Sequence, residues 1–182
     1  MKLVIFEDDL YRNLFPLTMT RATFELRCGY TTLREKILRK YPEVDVVYFL
    51  RDYLIPTFKL RVQTGFVNEM DLLKKDDCLL INGRLLVEGE APSLEGEDEV
   101  GVHDGQIVYA RASRETVKKC FSEDFSQFMK NLKEKVEVKE VEANLITYPW
   151  NLITNNAKAI EEDFKALKKK GFLAKSLQKL KS

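Results

Sequence analysis

Three apolar runs constrain this chain more than anything else in it: "KLVIFE" at residues 2–7, "VDVVYFLR" at 44–51 and "DDCLLING" at 76–83. Each is near-continuous rather than alternating, which is the signature of strands buried on both faces of a parallel sheet. Between the first two lies a helix signal. Thr32 and Glu35 in "TLRE" form a capping box, Leu33, Ile37 and Leu38 supply an apolar stripe, and Pro42 closes the segment. Strand, helix, strand and strand in that order begin an α/β sheet. "IPTFKLRV" fits a short helix or a loop after Pro56.

The second half has a different texture. "VEGEAPSLEGEDE" is rich in Gly, Pro and acids and reads as a solvated loop. "EVGVHDGQIVYARA" reads as a β-hairpin turning at Asp104-Gly105. "SEDFSQFMKNLKEKV" reads as a helix capped by Ser122, with Phe125, Phe128, Met129 and Leu132 on one face. "VEVKEVEANLITYPW" holds a further strand or two. "NAKAIEEDFKALKKKG" reads as a last helix with Ala157, Ile160, Phe164 and Leu167 along its packed side and Gly171 as its stop. The boundaries expected are a domain over 1–168 and a basic helical tail over 169–182, where Leu173, Leu177 and Leu180 recur between lysines.

Composition excludes several classes. Thirty basic residues against 29 acidic ones leave a net charge of +1, without the basic excess that nucleic-acid binding uses. No run of about 18 apolar residues is present, so no membrane partner is expected. "MKLVIFEDD" turns acidic too early for a secretion signal, and the expected compartment is cytoplasmic. Cys28, Cys78 and Cys120 are far apart and read as reduced, buried thiols. The one histidine, His103, sits beside the hairpin turn, which leaves little room for histidine-based acid–base chemistry.

Anion-binding residues remain. Arg21 and Arg27 lie between the first strand and the first helix, and guanidinium forks match phosphate oxygens while staying charged. Asn82, Gly83 and Arg84 stand at the carboxyl end of a central strand, where open α/β sheets bind ligands. Trp150 stands with Asn151 and Asn155 just before the last helix; indole stacks on rings and amides read hydroxyls. Each set also has an ordinary reading as salt bridge, turn or helix cap.

"FPLTMTRATFELRCGYTTLREKI", "LLINGRLL" and "YPWNLITNNAKAIEEDF", in this order and spacing, resemble the nucleotidyltransferase-like front domain of proteins related to the bifunctional N-acetylglucosamine-1-phosphate uridylyltransferase. The resemblance covers roughly residues 1–168. It implies a three-layer Rossmann-like fold with a mainly parallel sheet and an inserted hairpin. It also implies that a nucleoside triphosphate and a sugar 1-phosphate are joined with release of pyrophosphate, the protein positioning the groups and neutralising charge. Arg21 and Arg27 would then be the catalytic residues. Thr18, Asn82, Gly83, Arg84, Trp150, Asn151 and Asn155 would bind substrate, and Asp8 or Asp9 would hold Mg2+. The family's following β-helix is not expected here, and a partner protein such as an acyltransferase subunit is.

Three positions depart from the family's pattern. "EDDLYRNL" replaces a glycine-rich loop, Ala22-Thr23 replaces Pro-Lys, and Gly83-Arg84 replaces Gly-Asp. The sequence therefore leaves two classes open: an enzyme with a variant site, and a non-catalytic domain that binds nucleotide, sugar phosphate or a partner.

Overall fold

Seven strands form one sheet in the order β3-β2-β1-β4-β6-β5-β7. In the computed structural model, which describes residues 1–62 and 64–169, they are β1 (Lys2–Phe6), β2 (Asp45–Phe49), β3 (Phe66–Val67), β4 (Cys78–Asn82), β5 (Glu99–His103), β6 (Gln106–Ala112) and β7 (Glu137–Glu140). Strands β3, β2, β1 and β4 run parallel to their neighbours, and β6 alone runs against them. The expected hairpin is β5–β6, with its turn at Asp104 and Gly105, both at positive φ. It belongs to the sheet itself, because β6 pairs with β4.

Alternate residues of the central strands feed two cores. Val4, Phe6, Val47, Phe49 and Leu80 pack with Val117, Phe128 and Leu132 on one face. Leu3, Ile5, Tyr48, Leu79 and Ile81 pack with Phe24, Ile37 and Phe58 on the other. The first face is covered by α3 (Arg114–Cys120) and α4 (Phe125–Lys135), the second by α1 (Leu33–Leu38) and α2 (Ile55–Arg61). This is the three-layer α/β arrangement, with apolar burial on both sides of β1 and β4. A third cluster, Leu14, Leu26, Cys28, Leu33, Leu86, Ile146 and Ala159, lies under α5 (Pro149–Thr154) and α6 (Asn156–Lys169). All three cysteines are buried and free.

The capping box at Thr32 and Glu35 is present in full. "IPTFKLRV" resolves as the helix α2, with Pro56 in its first turn where a missing N–H costs nothing. Three expectations are corrected. Asp124, not Ser122, caps α4, its carboxylate accepting from the Gln127 N–H at 2.7 Å. Helix α3, capped by Ser113, was not foreseen. The apolar stripe of α6 faces outward. Ile160 and Phe164 are each 48% exposed, while the inward positions are Ala159 and Asp163. The tail expected over 169–182 lies, beyond Lys169, outside the described residues. No helix among the described residues is long and apolar enough to cross a membrane.

Candidate functional site

Strands β2, β1 and β4 end side by side, and the chain leaves each at its carboxyl end. A cleft of about 360 Å³ opens there. Six carboxylates line it, from Glu7, Asp8, Asp9, Asp52, Glu123 and Asp124, against the single guanidinium of Arg51. A phosphate entering this cleft meets a negative field unless cations come with it.

Arg84 lies at the end of β4, fully buried. Its Nε and Nη2 donate to Asp8 Oδ1 and Oδ2 at 2.9 and 2.6 Å. Nη2 also reaches Gln106 Oε1 at 2.8 Å. Nη1 donates to Thr147 Oγ1 at 3.1 Å, with a longer 3.5 Å contact to the Ile146 carbonyl. All five N–H donors therefore point at protein oxygens. Asp8 is equally occupied. Oδ1 also accepts the Leu10 N–H at 3.2 Å, and Oδ2 also accepts Asn82 Nδ2 at 2.8 Å. Asn82 is itself closed: its second amide hydrogen goes to the Ile107 carbonyl, and its oxygen accepts the Arg84 backbone N–H.

A second network holds the connection after β1. Glu7 accepts Arg51 Nε at 2.7 Å, Arg51 Nη2 at 3.1 Å and the Thr23 N–H at 2.8 Å. Arg51 Nη2 also donates to the carbonyls of Thr18 and Arg21 at 2.6 and 3.1 Å. Its guanidinium carbon stands 4.0 Å from the centre of the Tyr11 ring, within cation–π range. Burial pushes the Glu7 carboxyl above its ordinary range, outweighing the Arg51 and Thr23 donors. Sequence reasoning passed over Arg51. Its signal was position: like Arg84, it follows directly on the end of a buried strand.

The other sequence candidates divide. Thr18 is buried, its hydroxyl donating to the Tyr11 carbonyl at 2.7 Å, so it shapes the loop from inside. Gly83 is a packing requirement. A Cβ there would stand 2.6 Å from the Phe24 ring and 2.9 Å from the Phe6 carbonyl oxygen. Arg21 is exposed at the Arg51 end of the loop, without a side-chain partner among the described residues. Arg27 is exposed at the α1 end, beside its bridge to Thr32, and donates to the Tyr30 carbonyl. The structure thus assigns the two arginines to opposite ends of the connection. Asn151 caps α5, accepting the N–H groups of Thr147 and Tyr148 at 3.1 and 2.8 Å. Asn155 ends α5 and bonds Asn144 and the Asn151 carbonyl. Trp150 is exposed and stacked on Tyr148, ring centres 4.6 Å apart. Thr147 links that stack's helix to Arg84.

A divalent metal requires carboxylate lone pairs that are not already in use. Asp8 has two donors on each oxygen, so it has none to give. Asp9 is exposed beside it, and no group of three His, Cys, Asp or Glu side chains among the described residues is placed to hold a metal. Asp8 therefore does not fit Mg2+ in this arrangement, and Asp9, exposed and without a side-chain partner among the described residues, is the one of the two with lone pairs to offer. Burial pushes the Cys78 thiol up to about 12, and His103 Nδ1 bonds the Val141 carbonyl at the hairpin.

A family model described as sugar nucleotidyl transferase matches residues 3–171. The chain belongs to the sugar nucleotidyl transferase family. Three solved structures show the fold it shares. A protein assigned as a glucose-1-phosphate thymidylyltransferase from Bacillus anthracis, in complex with a sucrose, has a TM-score of 0.60 and 12% identity, over 88% of this chain and 95% of that one. Molybdopterin-guanine dinucleotide biosynthesis protein A from Archaeoglobus fulgidus has a TM-score of 0.58 and 13% identity, over 88% and 100%. A CTP:phosphocholine cytidylyltransferase from Streptococcus pneumoniae has a TM-score of 0.58 and 13% identity, over 86% and 97%. No curated protein matches. In this family member, then, the corner between β1 and β4 is filled by an internal guanidinium–carboxylate pair.

Proposed function

We propose that this sugar nucleotidyl transferase family member is a binding domain for nucleotide-sugars or sugar phosphates, and does not itself catalyse magnesium-dependent nucleotidyl transfer. One observation carries this: Arg84, buried and with all its donors satisfied, takes one acceptor position on each oxygen of Asp8, and the Leu10 N–H and Asn82 take the other two. The buried guanidinium neutralises Asp8 where the sheet ends but cannot exchange ligands as a metal does. Ligand phosphates would meet the exposed Arg21 at the loop, and a sugar ring would meet the Trp150–Tyr148 stack.

The family match over residues 3–171 favours a second reading, transfer of a nucleotidyl group to a sugar 1-phosphate. In that reading the sugar-phosphate oxygen attacks the α-phosphorus in line, and Arg21 and Arg27 neutralise the departing pyrophosphate.

Thermal shift and pyrophosphate release separate the two. The protein is mixed with nucleoside triphosphates, nucleotide-sugars and sugar 1-phosphates, in Mg2+ and in EDTA. A ligand at a hundred times its dissociation constant stabilises by roughly 2.7 kcal/mol, on the order of 5 °C for a chain this size. The binding reading expects a shift with a nucleotide-sugar or sugar phosphate, equal in both buffers, and no pyrophosphate. Pyrophosphate release that requires Mg2+ would replace it with the second reading. A protein that shifts with none of these ligands would remove both.

A further inference from the structure

The connection from β1 to α1 passes through residues 15–22 without helix or strand. Burial holds little of this stretch. Phe15, Leu17 and Met19 are 45%, 41% and 55% exposed, and Pro16, Thr20 and Arg21 are exposed as well. Only Thr18 and Ala22 are buried.

What fixes its course is a side chain from the end of β2. Arg51 Nη2 donates to the carbonyls of Thr18 and Arg21 at 2.6 and 3.1 Å. Arg51 Nη1 donates to the Tyr53 hydroxyl, which donates in turn to the Met19 carbonyl at 3.1 Å. No backbone N–H among the described residues bonds any of these three carbonyls. Arg51 is itself clamped. Glu7 accepts from its Nε and Nη2, and its guanidinium carbon stands 4.0 and 5.1 Å from the ring centres of Tyr11 and Tyr53. A planar group with five donors can serve the carboxylate and the carbonyls together. A lysine ammonium is a point charge that can pair with Glu7 but cannot span all of them.

We propose, resting on the binding reading of this site, that Arg51 is the positioning residue for Arg21: it latches the connection so that the Arg21 guanidinium is held for a ligand phosphate beside the cleft. The contacts reach main-chain oxygens, so they set where residue 21 stands and leave its side chain free. Arg51 lines the cleft, and so do six carboxylates. A guanidinium on a loose loop beside that field is drawn onto the carboxylates and lost to a phosphate. Fixing the backbone at Arg21 keeps the charge available and removes the cost of ordering it when the ligand arrives.

The test has a readout without ligand and one with it. Trypsin attacks the Arg21 carbonyl, the acceptor that Arg51 holds, so cleavage after Arg21 reports the latch directly. Cleavage after Arg27, at the far end of the same connection, reports general loosening. Arg51→Lys keeps a cation for Glu7 and should raise the ratio of the two rates about tenfold. Tyr53→Phe, at a side chain 61% exposed and so without risk to the core, should raise it roughly threefold, since only the Met19 tie is lost. Titration calorimetry with glucose 1-phosphate and with UDP-glucose supplies the second readout. Arg51→Lys should weaken binding about tenfold in the wild-type background and no further in Arg21→Ala, the pattern of one residue acting through another. A cleavage ratio unchanged in both Arg51→Lys and Tyr53→Phe would overturn the proposal whatever the protein binds. Losses that add in the double variant would overturn it too, by making Arg51 a phosphate contact in its own right. A raised ratio in a protein whose wild type binds neither probe would remove the binding reading itself and reduce Arg51 to a structural latch.

Discussion

Two buried carboxylates pin the two ends of the connection between β1 and α1, and their charge balance differs. At the β1 end Glu7 takes Arg51 and the Thr23 N–H. At the α1 end Asp163 reaches in from α6. It takes the N–H groups of Tyr30 and Thr31 at 3.0 and 2.9 Å, the Thr31 hydroxyl, and the cations of Lys36 and Arg39 at 2.6 Å each. Burial works against ionisation at both. At Asp163 the donors from Lys36, Arg39 and Thr31 outweigh it and hold the carboxyl down to about 2. At Glu7 burial wins and the carboxyl is pushed up. The number of donors per buried carboxylate, more than burial itself, decides whether the charge is at home. The end of the connection that borders the cleft is the end with the less comfortable charge.

Removing Asp163 breaks this comparison most directly. Asp163→Asn keeps the shape but leaves Lys36, 3% exposed, without its anion. We expect a loss of about 3–5 kcal/mol in urea unfolding, the scale of a broken buried pair. Lys36→Met in the same background should recover much of it. A loss under about 1 kcal/mol would mean that the α6 anchor is as loosely held as Glu7.

Gly83→Ala attacks the other end sterically, without touching a charge. Its Cβ would press on Phe24, next to the Thr23 that Glu7 holds. Overpacking of this kind costs about 1–3 kcal/mol, read as a lower melting temperature.

The pH profile sharpens the contrast. The Asp163 carboxyl is depressed from 3.8, so its stabilisation is present above that value. It is lost as pH falls toward about 2, and it amounts to about 2 kcal/mol. The Glu7 carboxyl is raised from 4.5. Its contribution is complete below that value and lost as pH rises through the raised one. Melting temperatures from pH 2 to 8 should therefore improve as pH falls from neutrality toward 4.5 and then fall below 3.8. Glu7→Gln should remove the improvement, and Asp163→Asn should flatten the fall.

The strands and the capping box were legible because they depend on neighbours in sequence. Val4 and Leu80 announce buried strands by the company they keep, and Thr32 needs only Glu35. What the sequence hid depends on distant partners. Arg84 reads as a ligand-facing arginine until Asp8, 76 residues away, is seen to take it. The α6 stripe reads as the packed face because periodicity assumes that apolar residues go inward. Asp163 reverses that, and its partners Thr31, Lys36 and Arg39 lie 124–132 residues back. Candidate site residues chosen for chemistry alone, such as Asn82 and Thr18, turned out to be bonded within the fold.

Arg21, exposed like Arg12 toward the cleft end of the connection, gives the smallest structural effect of these changes. Arg51 binds its carbonyl, not its side chain. Arg21→Ala should therefore change unfolding free energy by no more than about 0.5 kcal/mol, as for exposed positions generally. In the presence of a sugar phosphate or nucleotide-sugar the same variant should lose most of the thermal shift, because a charge-assisted contact to phosphate is gone. Arg27→Ala, at the α1 end near Asp163, should keep it. That pairing isolates binding from stability: if Arg21→Ala retains the full ligand shift, the two ends of the connection do not differ in function, and the ligand does not meet the molecule at the Glu7 end.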